Sequence, residues 1–486
     1  MIDLNHLEKY TENNRIEAKK ALGGLPHSIW ETYSAFANTL GGIILLGVEE
    51  YKDKTLHTVD LPDPESLIRE FRESVNNPNK ASINLLTNQH IRIEEVNGDR
   101  IIVIEVPRAQ RCDKPVYVGG DPVSGTYRRS GEGDYHCSEE ELRAMYRDAG
   151  IKTQDMTVLE HMDCSVFCAE SIRSYRQRMK RSRPGHVWEG LDDDAFLMKL
   201  GAVAAGGDGT VHPTAAGLLM FGFEQEILRE YPDYLLEYYA ESDNASGLSD
   251  RLVSSAGGWS GNVFDFYFQV CEKLLNSLNA QPETDGGIRA DGAPVYQAIR
   301  EALANCLVNA DYYGHRGLVI VRQHDLITMS NPGDFRVGLE EARSGGLSDP
   351  RNGILMKMFH LIDIGEGSGS GIPGILYAWK QQGWSKPVFR QSFHPNRITL
   401  SLPLTKSSGK KAAGQRDDQK VIIAASDQKA MIVEYLTDRG TGGIPELSEL
   451  LGVKFPRVKK LIYELIAEGI VVAAGESRSC TYKLKA

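Results

Sequence analysis

Long apolar stretches are missing from this sequence. No run of about 18 apolar residues occurs, which is the length that a membrane-spanning helix needs. The first residues, MIDLNHLEKYTENNRIEAKK, also lack the apolar segment of a secretory signal. We therefore expect a protein of the cytoplasm. Its 41% of hydrophobic and 25% of charged residues are typical of a globular chain.

Cysteine is also scarce, with seven residues scattered over the 486 of the chain. Only Cys164 and Cys168 lie close together in the sequence, as an i,i+4 pair. A zinc site needs a second pair at a similar spacing, and none follows. We therefore expect reduced thiols, as in a cytosolic protein, rather than a disulfide framework or a zinc site.

Basic residues are outnumbered, because 55 Lys and Arg stand against 66 Asp and Glu, which gives a net charge of −11. This balance argues against a protein that is covered by nucleic acid over its whole surface. It leaves DNA binding open, since phosphate contacts need only a local basic patch.

Two phosphate-binding signatures are absent or incomplete. The sequence has no G-x-x-x-x-G-K-[ST], so it is not a P-loop ATPase. A G-x-G-x-x-G does occur at Gly369, Gly371 and Gly374. It lacks a strand immediately before it and an acidic residue about twenty positions after it. These glycines are therefore a weak indication of a Rossmann fold.

The chain is long enough for about three domains of roughly 150 residues each. Residues 406–427 are rich in Lys, Ser, Gly, Ala and Gln, which predicts a flexible linker. The predicted parts are a mixed α/β domain over 1–150, a helical and mixed connecting region over 151–280, an α/β domain over 281–405, the linker over 406–427 and a DNA-binding module over 428–486.

Periodic apolar residues predict the main local elements. Helices are favoured over residues 27–39 and 298–310. Ser138, which precedes three glutamates, predicts the N-cap of another helix. Strands are predicted over residues 41–48, 91–96, 100–107, 318–322 and 326–330.

The C-terminal segment carries short apolar helices that are separated by glycines. Helices are predicted over residues 428–437, 445–452 and 456–469, and a β-hairpin follows over 470–472 and 481–484. This order of three helices and a hairpin predicts a winged helix-turn-helix. It resembles the winged helices of bacterial transcriptional regulators.

The outward face of the third of these helices is basic. We expect it to contact phosphates or base edges in a DNA major groove. A solvated basic face on a protein–protein module is the open alternative. Because one recognition helix contacts only a few base pairs, we expect a homo-oligomer. The predicted DNA contacts are Lys454, Arg457, Lys459 and Lys460.

Glu301 and Asn305 lie on one face of the predicted helix over 298–310, at i,i+4. Such a pair can hold Mg²⁺ through Asn305 and position a water through Glu301. Asn331-Pro332-Gly333 follows along the chain. A glycine-rich loop over 364–373 then leads to a helix whose N-terminus favours an anion.

This order resembles, in divergent form, the ATP-binding fold of the GHKL group, which includes gyrase, the Hsp90 chaperones, histidine kinases and mismatch-repair proteins. The resemblance implies an α/β sandwich that binds ATP, with Mg²⁺ on Asn305. Asn331 stands where the group has an aspartate for the adenine amine. A degenerate pocket that only supports assembly is the alternative. The implied nucleotide contacts are Glu301, Asn305, Asn331, Gly333, Gly365, Gly367, Gly369 and Gly371.

Acidic residues stand out in the N-terminal domain. Glu12 and Glu17 form an E-x4-E-x-K pattern, and Glu49 and Glu50 follow the predicted strand over 41–48. Further motifs are Phe36-Ala37-Asn38-Thr39, Gly41-Gly42, Lys114-Pro115-Val116-Tyr117 and Tyr127-Arg128-Arg129-Ser130-Gly131. Over residues 8–147 the whole pattern resembles the Schlafen AlbA-like domain.

The Schlafen resemblance implies a catalytic role or a binding role. As in animal Schlafen proteins, Glu12, Glu17 and Glu49 or Glu50 would hold Mn²⁺ or Mg²⁺ in a metal-dependent nuclease. The chain has Glu where many relatives have Asp after the Gly-Val, which moves a ligand by about one bond. The alternative is nucleic-acid or partner binding without cleavage. The basic surface for it would consist of Arg108, Arg111, Lys114, Arg128 and Arg129.

All three segments, in this order, resemble one bacterial family of predicted transcriptional regulators: a Schlafen AlbA-like domain, a divergent GHKL-like domain and a C-terminal winged helix. We expect a multidomain α+β protein that regulates transcription, whose middle domain senses a nucleotide or holds a dimer. A metal-dependent nuclease of RNA or DNA, acting in defence or stress, is the alternative, and a scaffold with two relic pockets is a third. We expect at most a weak ATPase or nuclease. DNA, RNA and a second copy of the chain are the expected partners.

Overall fold

The computed structural model divides the chain into two compact units, Met1–Ser408 and Gly409–Ala486. In the first, the structure describes residues 2–241, 248–279, 294–345, 348–365, 371–393 and 395–406. In the second, it describes residues 429, 432–433, 435–436, 441–444, 446–447, 455–467, 470–474 and 481–485. No helix within these residues is both long and apolar enough to cross a membrane. The predicted linker, beyond Lys406, lies outside them.

The N-terminal part of the first unit is a mixed α/β structure. Its elements are β1 (Ile16–Lys19), α1 (Ile29–Asn38), β2 (Gly42–Leu46), β3 (Val48–Glu50), β4 (Leu56–Thr58), α2 (Pro64–Val75), β5 (Ile91–Val96), β6 (Asp99–Val106), α3 (Pro122–Gly125), β7 (Tyr127–Ser130), β8 (Gly133–His136) and α4 (Glu139–Ala149). A sheet has the order β1-β2-β6-β5, in which β1 and β2 are parallel. β3 pairs with β4, and β7 pairs with β8.

Local sequence accounts for several of these elements. β5 covers the predicted strand over 91–96, and α1 lies inside the predicted helix over 27–39. α1 is buried almost all round, which explains why it is apolar on nearly every side. α4 begins with the predicted cap: Ser138 Oγ accepts a hydrogen bond from the Glu141 N–H, and the Glu141 carboxylate accepts one from the Ser138 N–H.

The turn between β2 and β3 brings acidic residues towards β1. Gly47 makes this turn with a φ of +83°, and a Cβ there would lie 2.9 Å from the Val59 carbonyl oxygen. Glycine is therefore required at this position. β3, which carries Glu49 and Glu50, consequently lies beside β1, which carries Glu17.

The rest of the first unit is built around a six-stranded sheet. The elements are α5 (Ala169–Ser182), α6 (Asp193–Leu200), β9 (Val203–Ala205), β10 (Val211–Pro213), α7 (Ala215–Phe221), α8 (Glu224–Glu230), β11 (Leu236–Glu241), β12 (Leu248–Val253), α9 (Val263–Asn279), α10 (Pro294–Val308), β13 (Leu318–Arg322), β14 (Leu326–Pro332), α11 (Leu339–Ser344), α12 (Gly353–His360), α13 (Gly371–Gln381), β15 (Val388–Phe393) and β16 (Asn396–Pro403). The sheet order is β12-β11-β13-β14-β16-β15. We call this region the middle part.

The six-stranded sheet crosses the domain boundary predicted at residue 281. β11 precedes the boundary, and it pairs in parallel with β13, which follows it. The hydrophobic core is also continuous, with buried side chains from Leu159 to Leu404. Apolar spacing shows which residues form strands but not which distant strands pair. The predicted division of 151–280 from 281–405 therefore does not follow the sheet.

The second unit contains the last predicted helix and the hairpin. Its strands form an antiparallel sheet. The predicted apolar stripe of the helix is buried, with Val458, Leu461, Ile462 and Leu465 at most 1% exposed. The assignment of this unit to the winged-helix class stays a prediction. The described elements are β17 (Gly442–Gly443), α14 (Phe455–Ala467), β18 (Val471–Ala474) and β19 (Thr481–Leu484).

Candidate functional site

Glu17, one of the predicted catalytic acids, lies on β1 with a side chain that is only 12% exposed. Both of its carboxylate oxygens are held by cations. Oε1 lies 2.8 Å from Lys19 Nζ, and Oε2 lies 2.7 Å from Arg129 Nη2. The charge of Glu17 is therefore already balanced inside the fold.

Glu12 is half-buried near Glu17, and its Oε1 accepts a hydrogen bond from the Ala18 N–H at 3.1 Å. Burial raises the pKa of the Glu12 carboxyl, and the charges of Glu17 and Glu50 raise it further. Glu50 Oε2 pairs with Lys54 at 3.0 Å, whereas Glu50 Oε1 is buried without a hydrogen-bond partner. The charges of Glu17 and Glu50 thus both act on Glu12. We call Glu12, Glu17 and Glu50 the acidic cluster.

Glu50, rather than Glu49, is the strand residue that belongs to the acidic cluster. Successive residues of a strand point to opposite faces, and Glu49 pairs instead with Lys20 at 2.8 Å. Among the residues that the structure describes, no group of three or more His, Cys, Asp or Glu side chains is placed to hold a metal ion. Because both oxygens of Glu17 are occupied by cations, the donor set does not fit the predicted Mn²⁺ or Mg²⁺ site.

We expect no metal-dependent cleavage by the acidic cluster. Labelled tRNA and single-stranded DNA, incubated with the full-length protein and Mn²⁺, should stay intact because a metal ion would have to displace or share the ion pairs of Glu17 with Lys19 and Arg129. The control is Glu17→Ala, which should give the same gel pattern. Products that form with the wild type and not with Glu17→Ala would contradict this expectation.

The five predicted basic residues do not form an exposed basic surface. Lys114, Arg128 and Arg129 are only 8%, 3% and 2% exposed, and Arg108 and Arg111 are partly buried. The prediction of an exposed surface is therefore wrong. Most of their partners, such as Glu17 for Arg129 and Asn38 for Lys114, are distant in sequence, so local patterns do not reveal that these side chains are buried.

Four of these basic residues instead line a small cavity where the N-terminal part meets the middle part. Arg108 donates hydrogen bonds to the carbonyl oxygens of Phe335 and Val337. Arg111 Nε lies 2.6 Å from Asp349 Oδ2. Both contacts join the N-terminal part to the middle part. The four residues are Arg108, Arg111, Lys114 and Arg128.

Arg351 is central to this contact and is 1% exposed. Its Nε and Nη2 atoms lie 2.9 and 2.7 Å from the two carboxylate oxygens of Asp148. It also donates to the carbonyl oxygens of Asn309 at 2.7 Å and Asp334 at 3.1 Å. Gly333, a predicted nucleotide contact, leaves room for this guanidinium, because a Cβ at Gly333 would collide with Arg351 Nη1.

The electrostatic potential around Asp334 is positive. Burial raises the pKa of Asp334, but the charges of Lys114, Arg128 and other nearby cations outweigh burial and lower the pKa to about 2. Lys114 responds in the opposite direction, since burial and the charge of Arg108 lower its pKa to about 7. Its Nζ donates to the Asn38 carbonyl oxygen at 2.7 Å.

Replacing Lys114 with methionine should stabilise the first unit at pH 6. The folded-state pKa of about 7 lies below the ordinary lysine value of about 10.4, so the unfolded chain binds more protons between these values. Wild-type stability should therefore rise with pH through that window, and the penalty for burying the charge is fully present below pH 7. The variant removes this penalty and loses the bond to Asn38, a net gain of about 2–4 kcal/mol at pH 6.

The stability of this unit can be measured in the full-length chain, because all five tryptophans lie within Met1–Ser408. Urea unfolding followed by tryptophan fluorescence should show the gain of Lys114→Met at pH 6 and its loss by pH 10. Lys52→Met, at an exposed lysine, is the control and should change stability by less than about 0.5 kcal/mol at both pH values. A destabilised Lys114→Met at pH 6 would contradict the expectation.

The predicted nucleotide contacts lie on α10, β14 and the ends of the glycine loop. Glu301 and Asn305 are half-buried on α10, which packs against β14 and α13. Asn331 is 4% exposed, and its amide bonds within the protein. Its Oδ1 accepts from Cys306 Sγ at 3.5 Å, and its Nδ2 donates to the Pro332 carbonyl oxygen at 3.1 Å.

Some predicted contacts lie outside the described residues. In the glycine loop, Gly365 has a φ of +82° and Gly371 is the first residue of α13, while Gly367 and Gly369 are not described. In the C-terminal unit, Lys459 and Lys460 are exposed on α14. The remaining two predicted DNA contacts, Lys454 and the Arg457 side chain, lie outside the described part of the chain.

Comparison with known families accounts for most of the first unit. Residues 12–138 match the family described as "Schlafen, AlbA_2". The chain carries a Schlafen AlbA_2 domain. This AlbA_2 domain contains the acidic cluster and the four basic residues that line the cavity. The predicted Schlafen resemblance is therefore confirmed at the level of the family.

Two further families match the middle part. Residues 318–400 match the family described as "Putative ATP-dependent DNA helicase recG C-terminal", so a domain of this kind follows the AlbA_2 domain. Residues 143–237 match a domain of unknown function, DUF8451. The match over 318–400 covers β13 to β16, including Asn331 and Gly333, whereas Glu301 and Asn305 precede it.

The solved structures that are similar to the chain include the two that follow, and no curated protein matches it. The DIP2311 protein of Corynebacterium diphtheriae is 15% identical, over 97% of this chain and 95% of that one, with a TM-score of 0.39. The N-terminal domain of a protein from Nitrosomonas europaea, named as related to the ATP-dependent DNA helicase RecG, is 33% identical. That match covers 28% of this chain and 90% of the other, with a TM-score of 0.22.

Proposed function

We propose that this chain is a DNA-binding transcriptional regulator, in which the C-terminal unit contacts duplex DNA and the middle part binds a nucleotide. The observation that carries DNA binding is α14, which has one apolar face and one basic face. The family matched over residues 318–400 also favours DNA binding, because its description names a DNA helicase.

The exposed face of α14 has the chemistry of a phosphate-binding surface. Lys459 and Lys460 are exposed, while Val458 and Leu461 on either side of them are buried. Tyr463, one turn further on, is 65% exposed. Lysine and tyrosine are common donors to DNA phosphates, so this face is suited to lie along a groove.

The hairpin adds further positive charge to the second unit. On β19, Lys483 is exposed and its neighbour Tyr482 is buried, as expected for alternate faces of a strand. Lys485 follows and is also exposed. A basic hairpin next to a basic helix is the arrangement that a winged helix would use to contact the DNA backbone, which supports that assignment.

The nucleotide part of the proposal is supported by Glu301 and Asn305. Their helix, α10, packs against α13, which begins at the last glycine of the loop. A carboxylate and an amide near a glycine-rich loop are suited to Mg²⁺ and phosphate oxygens. The description of the matched family names an ATP-dependent enzyme, which makes ATP the first nucleotide to test.

DNA binding is tested by titrating the full-length protein into a labelled duplex and measuring fluorescence anisotropy. We expect binding that weakens as salt is added, since the contacts are to phosphates. Light scattering of the same samples tests the proposed homo-oligomer. The absence of binding at low salt would contradict the proposal that the protein is a DNA-binding regulator. A monomer both with and without DNA would contradict the proposed homo-oligomer.

Nucleotide binding is tested separately by calorimetry with ATP and Mg²⁺. The wild type should release or absorb heat on binding, and Asn305→Ala should weaken the interaction because it removes the proposed Mg²⁺ ligand. If no heat is measured at high micromolar ATP, the proposal of nucleotide binding is wrong, whereas the proposal of DNA binding is unaffected.

A further inference from the structure

A small cavity lies where the AlbA_2 domain meets the middle part. It leaves about 20 Å³ in which the centre of a water-sized sphere can lie, which exceeds the roughly 10–15 Å³ that one buried water needs. Among the described residues, it shares only Gly333 with the predicted nucleotide contacts, so it is a separate site. Its cationic walls are formed by Arg108, Arg111, Lys114, Arg128, Arg336 and Arg351.

The walls of the cavity carry more positive than negative charge, because three carboxylates face five arginines and Lys114, which is charged below its pKa of about 7. Ion-pair partners just outside the walls, Arg147, Glu141 and Asp349, bring the local total to six arginines and Lys114 against five carboxylates. Unbalanced charge inside a compact unit is costly, since it is screened less than in water. The three wall carboxylates belong to Asp148, Asp311 and Asp334.

Two wall arginines each keep a buried donor that lacks an acceptor. The side chains of Arg128 and Arg336 are only 3% and 5% exposed, and neither Nε has a hydrogen-bond partner. Arg128 Nη1 pairs with Glu141, and Arg336 Nη2 pairs with Asp349. The Cys137 thiol interacts with the Arg128 side chain, but burial raises the pKa of the thiol to about 12, so it stays neutral and is only a weak acceptor.

We propose that this cavity binds a small tetrahedral oxyanion, phosphate or sulfate, between the AlbA_2 domain and the middle part. The ion supplies acceptors for both free Nε–H groups and negative charge for the cation excess. Guanidinium groups match the oxygens of such an ion well. A water molecule would accept hydrogen bonds but leave the charge unbalanced. A whole nucleotide is too large for the cavity, so the ligand is the free inorganic ion.

Binding of the ion joins two domains of the chain. Arg128 belongs to the AlbA_2 domain, and Arg336 belongs to the middle part. An ion that contacts both should stabilise the folded first unit in proportion to its concentration, because the unfolded chain has no such site.

The first test is calorimetry of the full-length protein with inorganic phosphate in a chloride buffer, combined with thermal unfolding followed by tryptophan fluorescence. Phosphate should bind and raise the unfolding midpoint, and the same concentration of added chloride should not. Arg336→Lys keeps the charge but removes the Nε–H, and should weaken binding at least about tenfold. Arg69→Lys, at an exposed arginine of α2, is the matched control and should bind like the wild type.

The second test places the ion directly and needs no variant. Crystals of the full-length protein grown with selenate, a tetrahedral oxyanion with an anomalous signal, should show an anomalous peak in the cavity. A peak beside Arg128 and Arg336 supports the proposal even if Arg336→Lys does not fold. Selenate found only elsewhere, phosphate that does not bind the wild type, or equal stabilisation by chloride would each overturn it.

Discussion

Replacing Arg351 with methionine should lower the free energy of unfolding of the first unit by about 3–5 kcal/mol. Arg351 is buried, and it makes both hydrogen bonds to the Asp148 carboxylate. Removing the guanidinium leaves the carboxylates of Asp148 and Asp334 without their closest shared counterion, in a place that is poorly solvated. The cost of such an uncompensated charge exceeds the small apolar gain from methionine.

Urea unfolding followed by tryptophan fluorescence measures this effect in the full-length chain. Arg343→Met is the control, because its partner Glu340 is 83% exposed and such pairs contribute at most about 1 kcal/mol. Adding Asp148→Asn to Arg351→Met should recover part of the loss, since it removes the unpaired carboxylate. A loss for Arg351→Met that is no larger than for Arg343→Met would contradict the role of this contact.

Gly333→Ala should destabilise the same unit by about 2–4 kcal/mol. Gly333 has a φ of +100°, where a side chain is strained, and its Cβ would also collide with Arg351 Nη1. Two costs are therefore added at one position. The collision is with a buried guanidinium that has four contacts of its own, so the neighbour cannot move aside without losing them.

Gly98→Ala separates the two costs. Gly98 has a similar φ of +91°, but nothing lies within 4 Å of the position of its Cβ. We expect Gly98→Ala to show only the backbone cost, about 1–2 kcal/mol. In an Arg351→Met background, Gly333→Ala should fall towards that smaller value. If Gly333→Ala and Gly98→Ala lose the same free energy of unfolding in the wild-type background, the collision with Arg351 has no cost and the prediction is wrong.

Elements whose signals are local could be predicted from the sequence. The strands Ile91–Val96 and Leu318–Arg322 have the predicted bounds, because apolar spacing and the flanking residues define them. The N-cap at Ser138 could also be predicted, since a capping box involves residues three positions apart. The Schlafen AlbA_2 family was also recognisable, because each of its motifs consists of a few residues that are close together in the chain.

Features that depend on distant partners could not be predicted. Lys114, Arg128 and Arg129 are charged, and charged residues are usually exposed, so a basic surface was the natural expectation. They are buried because the fold brings them to partners such as Glu17 and Glu141. No local pattern marks these pairs as contacts. The same reason explains why β11 was not assigned to the sheet of β13.

The sequence did not indicate Arg351, and it did not show which of Glu49 and Glu50 belongs to the acidic cluster. Glu49 and Glu50 are adjacent, and only the position of β3 beside β1 shows that Glu50 belongs with Glu12. Arg351 carried no signal in the sequence, because a single arginine between loops is ordinary. Asn331-Pro332-Gly333 did stand out, and the position of Gly333 against Arg351 gives it a structural role besides the predicted contact with a nucleotide.

The central claim is that the exposed face of α14 contacts DNA, and the salt dependence of affinity tests it most directly. Kd for a labelled duplex should be measured against salt for the wild type and for Lys459→Ala/Lys460→Ala. The double variant should bind more weakly, and the slope of log Kd against log salt should fall by about two. Lys380→Ala/Lys386→Ala, with two exposed lysines of the first unit, is the matched control and should keep the wild-type slope. An unchanged slope for the α14 variant, or a flattened slope for the control, would contradict the claim.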